Sequence, residues 1–129
     1  MIWVNGKGRS ILVVEDEPAI SEVCVRTLIG EGFQVKVVAN GNTALDVLAE
    51  KEYDLCLIDV RTPEMDGIEL YARLKQQHPG MVDRVIFTTG DVLSDNIKTF
   101  LETAGRPCLP KPFTPDELRV IVRTVPAPG

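Results

Sequence analysis

Asp54-Leu55-Cys56-Leu57-Ile58-Asp59 is an apolar run closed at both ends by a carboxylate. It shows no polar alternation, so it does not suit a sheet face half open to water. It reads as a central parallel strand over residues 55–59, buried on both faces. The turn-rich stretch Arg61-Thr-Pro-Glu-Met-Asp-Gly67 follows. A helix then carries Ile68, Leu70, Tyr71 and Leu74 at helical spacing and stops near His78-Pro79-Gly80. Strand, turn and helix form one βα unit.

The same unit recurs on either side. Residues 10–15 read as a strand, and Pro18 opens a helix with Ile20, Val23, Cys24 and Leu28 inward and Gly30 and Gly32 at its end. Residues 33–38 form a second strand. Asn40 or Asn42 then caps a helix that buries Ala44, Leu45 and Leu48. Residues 85–88 form the fourth strand. The helix after it carries Ile97, Phe100, Leu101 and Ala104 and ends at Gly105. Residues 107–109 form a short fifth strand. Thr114-Pro-Asp-Glu117 is a capping box, with proline at the first turn of a helix that buries Leu118, Ile121, Val122 and Val125. Five such units with right-handed crossovers make an α/β fold, a doubly wound five-stranded parallel sheet with helices on both faces. The domain spans residues 10–125. Residues 1–9 read as a linker or cloning remnant and 126–129 as a tail, so the domain is expected to be cut from a longer protein.

The chain has 129 residues, 44% apolar and 26% charged, enough for one core. Its net charge of −5 argues against a sequence-independent grip on nucleic acid. No apolar run approaches the roughly 20 residues of a membrane span, and no secretory leader pattern is present. Cys24, Cys56 and Cys108 are an odd, scattered set in apolar segments, as expected of reduced core thiols in a cytoplasmic setting.

Ligands of an open parallel sheet collect at the carboxyl ends of the strands. Glu15 and Asp16 follow the first strand, Asp59 ends the third, and Lys111 follows the fifth. Clustered carboxylates suit a hard divalent cation, and a lysine added to them suits an anion such as a phosphoryl group. Two carboxylates about 4 Å apart repel by roughly 4 kcal/mol at an effective dielectric near 20. A purely structural protein has little reason to gather them. Each residue alone has a plainer reading: helix-start acids before Pro18, a turn aspartate, and a surface lysine. Together these readings require coincidence at several strand ends.

The acidic pair Glu15-Asp16, Asp59, the Thr89-Gly90 step after the fourth strand and Lys111-Pro-Phe113 stand in one order. With them, residues 10–125 resemble a response-regulator receiver domain of two-component signalling. The resemblance implies a flavodoxin-like strand order 2-1-3-4-5 and Asp59 as phosphoacceptor. It implies Mg²⁺ (or Mn²⁺) on Asp16 and Asp59, with Glu15 bound directly or through water and the Arg61 backbone carbonyl as a further ligand. Lys111 would hold one phosphoryl oxygen. Thr89 would be the switch hydroxyl, with Thr88 the neighbouring candidate. A cis Lys111-Pro112 bond is also implied.

Arg61 and Asp91 are expected to pair over the site and modulate phosphoryl lifetime. Cys108 stands at the output position, where such domains usually carry an aromatic ring. The implied partners are a histidine kinase or a histidine phosphotransfer protein, with a phosphorylation-dependent dimer. The domain itself is expected to meet neither nucleic acid nor membrane and to turn over no metabolite. The stretch from Gly90 to Phe113 leans toward receivers fused to hybrid histidine kinases. Three rival readings fit these residues less well. An aspartate-based phosphatase wants Asp-x-Asp after its first strand. An FMN binder wants a Ser/Thr/Gly-rich phosphate loop where Glu15-Asp-Glu-Pro18 stands. A pseudo-receiver that only binds partners usually loses the key acids.

Overall fold

A computed structural model describes residues 8–91 and 94–126. The expected linker over residues 1–7, the tail over 127–129, and Val92 and Leu93 lie outside the described residues. The strands are β1 (Ser10–Val14), β2 (Gln34–Val38), β3 (Leu55–Asp59), β4 (Val85–Thr89) and β5 (Cys108–Pro110). They alternate with α1 (Pro18–Gly30), α2 (Gly41–Glu50), α3 (Gly67–Gln77), α4 (Asp95–Ala104) and α5 (Pro115–Val122). The sheet order is β2-β1-β3-β4-β5 and every pairing is parallel. The chain therefore has the flavodoxin-like topology.

β1, β3 and β4 are buried along their whole length, as a sheet covered on both faces requires. Strand alternation divides the core in two. Leu12, Val14, Cys56, Ile58, Val85 and Phe87 face one helical layer with Leu70, Tyr71, Leu74 and Ile97. Ile11, Val13, Leu55, Leu57, Ile86 and Leu109 face the other with Cys24, Leu28, Leu118 and Val122. On the first face Tyr71, Phe87 and Phe100 form an edge-to-face ring trio with centroids 5.1–5.9 Å apart.

Local signals set the helix ends. Asn40, not Asn42, caps α2 by accepting from the Thr43 N–H at 2.9 Å. Asp66 caps α3 by accepting from the Glu69 N–H. Thr114 and Glu117 close the expected capping box. Gly105 ends α4 at φ +65, where a Cβ would be strained.

The differences from expectation are small. β5 sits one residue later than 107–109, because the ladder bond from Phe87 N–H reaches Pro107 O and pairs Phe87 with Cys108. β4 extends to Thr89. A six-residue 3-10 helix (Pro79–Arg84) follows the stop at His78. Leu45, Phe100, Leu101 and Ile121 are half-buried at the margin of the core rather than within it, and Val125 is buried but lies past the end of α5. Cys24, Cys56 and Cys108 are free, and burial pushes the Cys24 and Cys56 thiols up to about 12, so they are inert core groups. Among the described residues no helix is long and apolar enough to cross a membrane.

Candidate functional site

Alternation explains how three charged side chains meet. Glu15, Asp59 and Lys111 continue the faces set by Ile11 and Val13, Leu55 and Leu57, and Leu109. The odd-numbered positions of β1, β3 and β5 thus run out of the core into one cluster at the carboxyl edge of the sheet. Lys111 Nζ lies 2.7 Å from Glu15 Oε1 and 2.9 Å from Asp59 Oδ2. Both acids are buried, with side chains 3% and 4% exposed, and the lysine side chain is 11% exposed. The Lys111-Pro112 bond is cis, as the resemblance implied. The Lys111 N–H donates to Thr89 O at 2.9 Å, which fixes the lysine backbone against β4.

Two acids and one ammonium leave an excess of negative charge. Burial pushes the Glu15 carboxyl above its ordinary value; hydrogen bonds from Lys111 and the Glu17 backbone oppose it, and the Asp59 charge adds to it. Burial would lower the Lys111 ammonium, yet its hydrogen bonds and charge pairing with Glu15 and Asp59 hold it above its ordinary value.

One further acid joins the cluster. Carboxylate oxygens of Glu15, Glu17 and Asp59 lie within 4.8 Å of one another. Glu17 Oε1 is 3.6 Å from Lys111 Nζ, and the Glu17 N–H donates to Glu15 Oε2 at 3.0 Å. Asp16 is exposed and stands outside this group. Sequence reading singled out Asp16 and passed over Glu17. The available signal was parity, since 15 and 17 continue one side of β1 and 16 the other. The donor set is all hard oxygen, clustered and under-neutralised by one lysine, so it fits a Mg²⁺-class cation.

The β3–α3 loop frames the cluster. The Arg61 N–H donates to Asp59 Oδ1 at 3.1 Å. The Gly67 N–H donates to Val60 O at 2.8 Å, and a Cβ at Gly67 would meet Val60 Cα at 2.8 Å, so α3 starts hard against β3 only with glycine there. The Arg61 guanidinium pairs with Asp91 across the rim, joining this loop to the one after β4. Thr88 lies opposite Asp59 in the ladder. Thr89 is fully buried on the Phe87 side, and its hydroxyl accepts from the Asp91 N–H at 3.0 Å. Cys108 is half-buried, away from the acids and packed against the aromatic face.

Residues 11–123 match the family model described as response regulator receiver domain. The chain is 38% identical over 112 residues to the DNA-binding transcriptional regulator NtrC of Salmonella typhimurium, spanning 87% of this chain and 24% of that protein. Two solved structures are similar. One is the receiver domain of a Pseudomonas aeruginosa sensor histidine kinase with a magnesium ion coordinated in its active-site cleft, at TM-score 0.81 and 32% identity, covering 92% of this chain and 97% of that one. The other is the BeF3-activated receiver domain of the nitrogen regulatory protein NtrC, at TM-score 0.75 and 35% identity, covering 92% of this chain and 94% of that one.

Proposed function

From the premise that this chain belongs to the response regulator receiver domain family, we propose that Asp59 is its phosphoacceptor. The observation that carries this reading is the buried Asp59 carboxylate, ending the central strand and sharing one lysine with Glu15. Receiver domains interact with histidine kinases. The donor here is a phosphohistidine of a histidine kinase or histidine phosphotransfer protein. An Asp59 carboxylate oxygen attacks phosphorus in line, forming an O–P bond. The N–P bond to the donor imidazole breaks, its electron pair stays on the nitrogen, and solvent supplies the proton that nitrogen takes up. Nothing is oxidised or reduced.

The chain's own groups handle the charge. Lys111 holds an equatorial phosphoryl oxygen. The Arg61 N–H orients the Asp59 carboxylate. The Thr89 hydroxyl gives up the Asp91 amide and donates to the phosphoryl group, which alters the β4–α4 loop. Glu15, Asp16 and Asp59, with the Arg61 carbonyl, would hold Mg²⁺, and Glu17 stands beside Glu15 and Asp59. When bound, the cation would supply neutralisation of charge on the transferring group. The Arg61–Asp91 pair covers the rim and slows the water that ends the signal. The similar Pseudomonas kinase receiver supports a place in a hybrid kinase, and the similar NtrC supports one in a transcriptional regulator.

Acetyl phosphate with Mg²⁺ should add one phosphoryl group by intact mass, and Asp59→Asn should abolish the gain. An equally labelled Asp59→Asn protein would exclude the assignment.

A further inference from the structure

One backbone atom ties down the loop that carries Arg61. The Met65 carbonyl oxygen accepts from the Thr62 hydroxyl at 3.0 Å and from the Gly41 N–H at 3.1 Å. Its two lone pairs are thereby filled from two different elements. Gly41 opens α2, and a Cβ there would lie 2.6 Å from the same oxygen, so only glycine admits the contact. Thr62 is 6% exposed, which leaves its hydroxyl little water to turn to. Between Thr62 and Met65, Glu64 sits at φ +64, a region that a non-glycine residue keeps when its surroundings hold it there.

Thr62 directly follows Arg61. A planar peptide links the two, and its oxygen is the Arg61 carbonyl. The N–H side of Arg61 is already held by Asp59 Oδ1. Anchoring Thr62 holds the carbonyl side. The Asp59, Glu15 and Lys111 side chains are placed by β1, β3 and the end of β5, so they do not depend on this anchor.

We propose that Thr62 is a positioning residue for the chemistry at Asp59: through the Met65 oxygen it aims the Arg61 carbonyl at the cation. The inference rests on the phosphoacceptor reading above. When the hydroxyl is lost, Met65 O keeps only the Gly41 donor, and residues 61–64 gain freedom while the acid–lysine cluster keeps its form.

Thr62→Val removes the hydroxyl at nearly constant volume, and Thr62→Ser restores it. Both are compared with the unaltered chain by calorimetric Mg²⁺ titration and by amide hydrogen exchange at Gly41 in metal-free protein. Thr62→Val should raise the Kd for Mg²⁺ about three- to tenfold, the span set by one hydrogen bond, and speed Gly41 exchange. Thr62→Ser should return both toward the original values. Unchanged Mg²⁺ affinity in Thr62→Val, or a serine variant no better than valine, overturns the proposal. An unaltered chain that neither binds Mg²⁺ nor takes a phosphoryl group overturns the phosphoacceptor reading and this inference together. A competent chain indifferent to Thr62→Val overturns this inference alone.

Discussion

Asp54 and Asp59 stand at opposite ends of the same strand and live in different electrostatic worlds. Asp54 Oδ2 accepts from the Ser10 N–H at 2.8 Å and the Ser10 hydroxyl at 3.3 Å, and the Asp54 N–H returns a bond to Ser10 O at 2.9 Å. These donors are neutral. Asp54 also lines a cavity of 290 Å³ with Glu52, Lys51 and Arg84, where two acids meet two cations. Asp59 has one neutral donor, the Arg61 N–H, and otherwise shares a single ammonium with a second buried acid. A carboxylate satisfied by its own backbone neighbourhood closes a strand. A carboxylate left short of positive charge favours a bound cation.

The sharpest way to break this comparison is to exchange the two acids for amides. Asp59→Asn should lose all phosphoryl uptake from acetyl phosphate. Asp54→Asn should keep uptake and lose only about 1 kcal/mol in urea unfolding, the scale of a side-chain hydrogen bond. Loss of labelling in both variants would erase the distinction between the two ends.

Removing the shared ammonium comes next. Lys111→Met leaves Glu15 and Asp59 buried and unpaired, so the metal-free protein should lose about 3–5 kcal/mol. Millimolar Mg²⁺ should restore part of that loss. A Lys111→Met protein as stable as the original in EDTA would mean that the acids are not strained by each other.

Metal addition should then separate the acids by role. If Mg²⁺ binds only the folded chain, a hundredfold excess over Kd stabilises it by about 2.7 kcal/mol. Asp59→Asn should abolish the rise in melting temperature, and Asp54→Asn should not. Asp16→Asn against Glu17→Gln decides which neighbour of Glu15 is the ligand: the implied set requires the larger loss from Asp16→Asn. A larger loss from Glu17→Gln would replace Asp16 by Glu17 in that set.

The smallest effect on stability belongs to the rim. The Arg61 and Asp91 side chains are 60% and 44% exposed, so their pair contributes about 0–1 kcal/mol. Arg61→Ala should leave unfolding almost unchanged and yet shorten the phosphorylated lifetime. A lifetime equal to that of the original chain would remove the rim pair from the mechanism.

Much of this was legible in advance, and for identifiable reasons. Leu55–Asp59 announces a strand covered on both faces because only burial tolerates an unbroken apolar run. Thr114 and Glu117 mark a helix start because their hydrogen bonds span three residues. The strand order and the cis Lys111-Pro112 bond were reachable only through likeness to a family, whereas the pairing of Arg61 with Asp91 followed from placing the loops after β3 and β4 at one rim. The shift of β5 by one residue was not legible, because its register is set by β4 and not by its own residues.

By itself, then, the sequence determined the five βα units, the two-sided core and the strand ends at which charge collects. Periodicity and local capping write such features within a few residues. Tertiary structure alone decided that Glu17 rather than Asp16 lies against Glu15 and Asp59, and that Thr62 and Gly41 share the Met65 oxygen. Strand parity hints at the first, but both outcomes turn on side-chain direction and approach distances of about 3 Å across separate elements, which the chain's local pattern does not fix.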